Sequence, residues 1–287
     1  APNAVSVSFA NEQGAFLAGV AAALKSETGV VGFVGATAIP NIEEFRAGFE
    51  AGAVWADPDV EVLATFIEQQ FMAEVGGLVN AFADPQLGYD RAVSLYQRNA
   101  DVVFHASGFS GWGLFDAVVD QSESTGRRLW AIGVDNDQWF DVNPVQRDYV
   151  LTSVIKRGDN AAYQLIKRML GDDVVGEIAS VGLAEHAFDY STQGGGMTAE
   201  IAATVDRAID DIINGRIVVA TTPVGEVLNL DEAQNAFEAA FSGRSSNQID
   251  EQLGATVERH SEEFDASCAD QHHGRICAEF FIRYADE

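Results

Sequence analysis

The stretch LWAIGVDNDQW, residues 129–139, followed by DYVLTSVIKRG, residues 148–158, decides how this chain folds. The apolar run ending at Val134 shows no polar alternation, which is the pattern of a strand buried on both faces. Asp135, Asn136, Asp137 and Gln138 then emerge at its carboxyl end, where small ligands bind in open α/β sheets. A second β-rich run, Tyr149 to Val154, delivers Lys156 at its own end. An ammonium beside carboxylates suits a hydroxyl-rich, uncharged ligand better than an anion, and a sugar ring is the expected occupant.

Working outward, strands and helices alternate over the first 225 residues. Asn3 to Phe9 reads as a strand, Glu12 to Ser26 as an amphipathic helix and Val30 to Gly35 as a buried strand. Pro40 opens a helix that carries Phe45, Phe49 and Val54 on one face. Val60 to Phe66, Arg91 to Arg98, Asp101 to His105 and Trp112 to Ser122 continue as strand, helix, strand, helix. After Arg157 come a helix (Asn160 to Leu170), a β-rich segment (Glu177 to Ala187), a Gly-rich loop (Gln193 to Gly196) and a helix ending at Gly215. This rhythm predicts a parallel sheet with covering helices.

Composition narrows the partners. A formal net charge of −27, from 17 Lys and Arg against 44 Asp and Glu, argues against nucleic acid or an anionic membrane surface, because both are held by cationic side chains. A hydrophobic content of 47% predicts a substantial core. The lysines are Lys25, Lys156 and Lys167, so the one at a strand end stands out. Lysine scarcity with acid excess fits salt adaptation or arginine-biased codon usage equally. No run of about 18 uncharged apolar residues occurs to span a membrane. Ala1 leads straight into a strand-like run, and a start inside an element leads to the expectation of sequence upstream.

The order of these segments resembles one family, the purine-nucleoside-binding lipoproteins of the basic membrane protein group, substrate-binding proteins of ABC importers. The matching stretches are EQGAFLAGVAAALKSETGVVGFVGA (12–36), IPNIEEFRAGFEAG (39–52), NAFADP (80–85), ADVVFHASGFSGWGLFDA (100–117) and the two pieces quoted above. The resemblance implies an α/β fold of the type I periplasmic-binding architecture, with two parallel-sheet lobes closing on a nucleoside without chemistry and without a cofactor or metal. Residues 1–29 and 140–175 would belong to the N-terminal lobe, 30–139 and 176–225 to the second lobe, and 226–287 to a C-terminal extension.

Several residues acquire roles through the resemblance. Phe82 would stack on the base, and such stacking is worth about 1–3 kcal/mol. Asp135 would accept both ribose hydroxyls, and Lys156 would donate to a ribose oxygen. Gly108, in SGFSGWG, would bring backbone close to the sugar; Phe109 and Trp112 depart from the small residues usual there. Asn11 and Gln13, with Glu12 between them, precede the helix from which the family reaches the base edge. Asp137 is either a ligand contact or a helix cap. Asp84 and Pro85 read from the residues themselves as the cap and first turn of a helix. Family members also begin with an Asp-rich, Ser-Phe-Asn segment that supplies the second aromatic plate, and this chain has no match to it. The first lobe is therefore expected to be incomplete, its missing segment lying upstream or on another chain, with the lipid anchor beyond that segment. Partners would be a purine nucleoside and permease subunits, outside the cytoplasm.

Two other functions stay open: a nucleoside hydrolase using Asp135 and Asp137, and a ligand sensor that signals through its C-terminal extension. In the extension, Cys268 and Cys277 flank His272 and His273, an arrangement compatible with a disulfide or with a metal site.

Overall fold

The apolar runs become strands. The computed structural model describes residues 6–68, 81–171, 178–223 and 228–229. The chain runs through β1 (Ser6–Phe9), turns at Ala10 into α1 (Asn11–Lys25), and continues as β2 (Val30–Thr37), α2 (Pro40–Ala56) and β3 (Glu61–Glu68). Next come α3 (Pro85–Gln97), β4 (Val102–Ala106), a 3-10 turn (Gly108–Gly111), α4 (Trp112–Thr125), β5 (Trp130–Asp135), a short α5 (Pro144–Arg147) and β6 (Val150–Lys156). The remainder is α6 (Gly158–Leu170), β7 (Ile178–Val181), β8 (Phe188–Tyr190), α7 (Ala199–Ile213), β9 (Ile217–Val218) and β10 (Leu228–Asn229).

A six-stranded sheet in the order β3-β2-β4-β5-β6-β8 forms the centre. Every neighbouring pair from β3 to β6 is parallel, and β8 closes the edge antiparallel to β6. Alternation along the strands feeds two cores. Phe33 and Phe104 face α1 and α2, where the Phe33 and Phe104 rings lie 5.8 Å apart and Phe49 lies 5.4 Å from Phe104. Val34 and Val103 face α3 and α4, meeting Leu95, Leu114 and Phe115. With both faces covered, the strands can be apolar throughout, which is why they lacked alternation in the sequence.

Helix α1 crosses α2 at backbone contact distance. A Cβ at Gly48 would overlap the carbonyl oxygen of Glu12, and one at Gly52 would overlap that of Phe16. Two glycines one turn apart thus let the helices touch without intervening side chains. At the opposite edge the buried Asp101 carboxylate accepts hydrogen bonds from Ser26 Oγ and the Glu27 amide, both at 2.7 Å, and from the Thr28 amide at 3.0 Å, which fixes the turn from α1 into β2.

The lobe boundaries expected from chain order need correction. Residues 150–156 were expected in the N-terminal lobe, but β6 pairs with β5 in the six-stranded sheet, with Val134 opposite Val154 and Asp135 opposite Ile155. Conversely β7, expected in the second lobe, pairs in parallel with β1, Ser6 opposite Ile178 through Phe9 opposite Val181. A β-rich run encodes its length and burial locally, whereas its neighbour is set by long-range pairing. All described residues lie within one compact unit, 1–231. The expectations for the extension, including Cys268, Cys277 and the histidines between them, lie outside the described residues. Among the described residues no helix is long and apolar enough to cross a membrane.

Candidate functional site

Five parallel strands present their carboxyl ends along one rim, and the sequence-selected residues gather there. Asp135 is the last residue of β5 and adopts φ +68°, a left-handed conformation uncommon for a non-glycine residue. Its Oδ1 lies 3.5 Å from Nζ of Lys156 at the end of β6. The Asp135 side chain is 56% exposed, so the pair adds at most about 1 kcal/mol to stability and leaves the carboxylate accessible. The Lys156 ammonium also sits over two aromatic faces, 4.8 Å from the Phe45 centroid and 5.5 Å from that of Phe9. Such cation–π contacts, worth about 0.5–1 kcal/mol each, hold the lysine beside the carboxylate before any ligand arrives.

The rim is braced from beneath by a buried polar network. The Gln138 side-chain oxygen accepts from the Val134 amide at 2.8 Å and lies 2.9 Å from His105 Nε2. An oxygen can only accept, so His105 carries its proton on Nε2, and its bare Nδ1 accepts from Ser107 Oγ at 3.3 Å. The Gln138 amide in turn donates to Ser153 Oγ at 3.2 Å. Strands β4, β5 and β6 are thereby tied together one layer below the site. Burial pushes the His105 pKa down to about 4, although the Gln138 bond and the Asp135 charge act the other way. It is a neutral structural histidine.

Phe82 and Gly108 are brought together. Gly108 has φ +55°, and a Cβ there would stand 3.2 Å from Phe82 Cδ1, so the glycine lets the backbone pass against a partly buried aromatic ring. Asp84 caps α3 by accepting from the Gln86 and Leu87 amides, with Pro85 in the first turn, as the sequence predicted. Asn11 donates from Nδ2 to Glu44 Oε2 at 2.8 Å, which fixes its amide orientation, and its Oδ1 is buried without a hydrogen-bond partner. A ligand donor could satisfy that acceptor.

Two selected residues are engaged inside the protein. Gln13 Oε1 accepts from the Leu183 amide at 2.9 Å, anchoring the turn after β7. Asp137 accepts from Ser191 Oγ at 2.8 Å and from the Trp139 amide at 3.3 Å, holding the loops after β5 and β8. Sequence reasoning missed the aromatic seat of Lys156. Phe45 follows Glu44 in IPNIEEF, and its helical face marked it only as core. The amino ends of β4 and β5 carry a hollow of about 200 Å³ lined by Tyr96, Asn99, Gln121 and Arg127, on the far side of the sheet from these residues.

Glu12, beside this site, is 7% exposed. Burial raises its pKa to about 7, helped by the Glu44 charge and opposed by its own amide. Because the folded state keeps this proton where the unfolded chain has lost it, stability falls as pH rises from about 4.5 through 7. His105 acts oppositely, its contribution falling as pH drops from 6.5 toward 4. Glu12→Gln is expected to raise unfolding free energy by up to about 3 kcal/mol at pH 8 and to change it little at pH 4.5. Urea titrations at both pH values check this; an equal increment at the two would refute it.

The family comparison matches this chain to the Bmp model, ABC transporter substrate-binding protein PnrA-like, over residues 1–220. The chain belongs to the Bmp family. It is 34% identical over 228 residues to the CD4+ T-cell-stimulating antigen of Listeria monocytogenes, covering 77% of this chain and 60% of that protein. It is 33% identical to Basic membrane protein D of Borreliella burgdorferi over 185 residues, or 64% of this chain and 48% of the relative. The Bmp-family chain thus spans about half to three-fifths of these relatives. Among solved structures it is similar to an ABC transporter solute-binding protein of Aeropyrum pernix K1, with TM-score 0.60 and 23% identity over 77% of this chain and 67% of that one. A transcriptional activator of the comK gene from Bacillus halodurans is similar at TM-score 0.59 and 20% identity, covering 74% and 66% of the two chains. At these identities the structures establish the fold, the α/β periplasmic-binding type.

Proposed function

We propose that this Bmp-family chain captures a purine nucleoside outside the cytoplasm, as part of a membrane-anchored protein, and delivers it to the permease subunits of an ABC importer. The observation that carries the reading is the Asp135–Lys156 pair, 3.5 Å apart on adjacent strand ends with the carboxylate half open to solvent. One carboxylate offers two acceptors at the spacing of a cis-diol, and a neighbouring ammonium compensates its charge and donates to a ribose oxygen. Phe82, against Gly108, supplies an aromatic face for the base, and the unpartnered Asn11 Oδ1 supplies an acceptor for a base N–H. The reading assigns binding to this set, in keeping with the substrate-binding family to which the chain belongs.

Titration calorimetry with adenosine, 2′-deoxyadenosine and adenine tests the pocket. The ribonucleoside is expected to bind more tightly than the deoxynucleoside by about 1.5–3 kcal/mol, roughly ten- to hundredfold, because removing one hydroxyl takes a donor from an ionised oxygen. Free adenine should bind more weakly still. Equal affinity for the two nucleosides would remove the diol-reading role. The hydrolase alternative is separated by incubation with inosine: appearance of free hypoxanthine would replace capture with catalysis.

A further inference from the structure

Three large apolar side chains stand exposed on one side of the sheet: Phe109 and Phe140 in the segments that follow β4 and β5, and Val145 on α5 ahead of β6. Phe109 and Phe140 are each 59% exposed and Val145 is 56% exposed. They come from three segments that the structure ties together. Phe109 lies in the turn before α4, with its ring centroid 6.3 Å from that of Trp112. Phe140 packs edge-on against Trp139 at 5.1 Å, and the Arg147 guanidinium covers Trp139 at 4.7 Å while donating to the Phe140 carbonyl. Val145 is on α5, which is fastened to α4 by a hydrogen bond from Gln146 Nε2 to Asp116 Oδ1 at 2.8 Å.

The same face is acidic. Trp112, Asp116 and Asp120 recur every four residues along α4 and so share one side of the helix, and both aspartates are exposed. Tyr89 of α3 donates to Asp120 Oδ2 at 3.0 Å. That bond raises the tyrosine pKa, with smaller contributions from desolvation and from the Asp120, Asp90 and Asp116 charges nearby. Among the described residues, none of these three is neutralised by an ion pair. Asp116 and Asp120 accept from uncharged donors instead.

Resting on the transporter reading, we infer that this face is the docking surface for a cationic protein partner, an arginine- or lysine-bearing loop of the permease. The exposed rings and Val145 supply apolar area that a partner can bury, and aromatic residues are enriched in such contacts. The aspartates select the partner's charge. A second copy of this chain would bring the same carboxylates against themselves, and an anionic lipid surface would be repelled. A basic surface complements the three carboxylates, while Arg147 is held against Trp139 and the Phe140 carbonyl. The patch starts at Phe109, the residue after Gly108, and runs down α4 and α5 away from the carboxyl ends of the strands.

The test reconstitutes the cognate permease and ATPase subunits in proteoliposomes and measures ATPase stimulation against the concentration of nucleoside-loaded protein. Asp116→Asn with Asp120→Asn keeps both hydrogen-bond acceptors and removes two charges; Phe140→Ser with Val145→Ser removes apolar area. For each double variant the half-maximal concentration is expected to rise about tenfold at low salt. Nucleoside affinity should stay unchanged. High salt should weaken the wild type toward the aspartate variant. An unchanged half-maximal concentration in both variants overturns the inference, and a loss of nucleoside affinity in Phe140→Ser with Val145→Ser overturns it by assigning this face to the ligand. Wild-type protein that binds nucleoside yet never stimulates the transporter would bring down the transporter reading, and this surface with it.

Discussion

Replacing Asp135 by alanine is expected to weaken nucleoside binding by about 3–5 kcal/mol, two to three orders of magnitude or more, with the fold intact. The loss is large because one carboxylate is assigned both ribose hydroxyls. The fold survives because the side chain is largely exposed and its ion pair with Lys156 contributes little. Alanine at φ +68° carries its own strain of roughly 1–2 kcal/mol, so Asp135→Asn is the matched control. Asparagine tolerates that conformation and keeps the shape while removing the charge and one acceptor. Calorimetry of both variants, with circular dichroism to confirm folding, settles the role; near-normal affinity in both would remove Asp135 from the site.

Gly52→Ala is expected to be, with Gly48→Ala, among the most destabilising methyl-sized changes on α2. The added carbon would overlap the Phe16 carbonyl oxygen, and a backbone atom inside a helix cannot swing aside as a side chain can. Relief requires α1 and α2 to move apart, which disturbs the core that Phe16, Phe45 and Phe49 share with Phe33 and Phe104 of the sheet. Overpacking typically costs about 1–3 kcal/mol, and a clash with backbone puts this variant at the upper end, a fall in melting temperature of roughly 6–12 °C for a unit of this size. Gly126→Ala, at a position with nothing within 4 Å of the added carbon, measures the cost of backbone strain alone. Thermal unfolding that places the two variants level would show the helices to be less closely engaged than described.

Much of this fold could be read from the sequence because its signals are local. Val30 to Thr37 and Trp130 to Asp135 are apolar runs bounded by turn residues, and Asp84 before Pro85 is a helix start whose hydrogen bonds lie within three residues. Asp135 and Lys156 were legible as strand-end residues for the same reason. What could not be read depends on distant partners. Gln13 meets the Leu183 amide across 170 residues, and Asp137 meets Ser191 across 54. Nothing near either residue marks it as part of the framework. The pairing of β7 with β1 is equally remote, and chain order alone misplaced β6. Lys156 was conspicuous as a lysine, but the two rings beneath it come from β1 and α2, which only the folded chain brings together.

On the proposed nucleoside reading, the left-handed turn at Asp135 limits how the binding site can change over time. A glutamate there would preserve the charge but would have to adopt a backbone conformation that longer side chains avoid, so the substitutions open to it are chiefly asparagine and glycine. Both discard the charge that faces Lys156. Drift toward a different solute therefore has few single steps available at the carboxylate. The contact between Phe82 and Gly108 is the more permissive place to begin, since a partly buried ring can be exchanged for another without disturbing the backbone beneath it. A laboratory selection for new ligands would be expected to accumulate its first changes around Phe82 and to leave Asp135 alone.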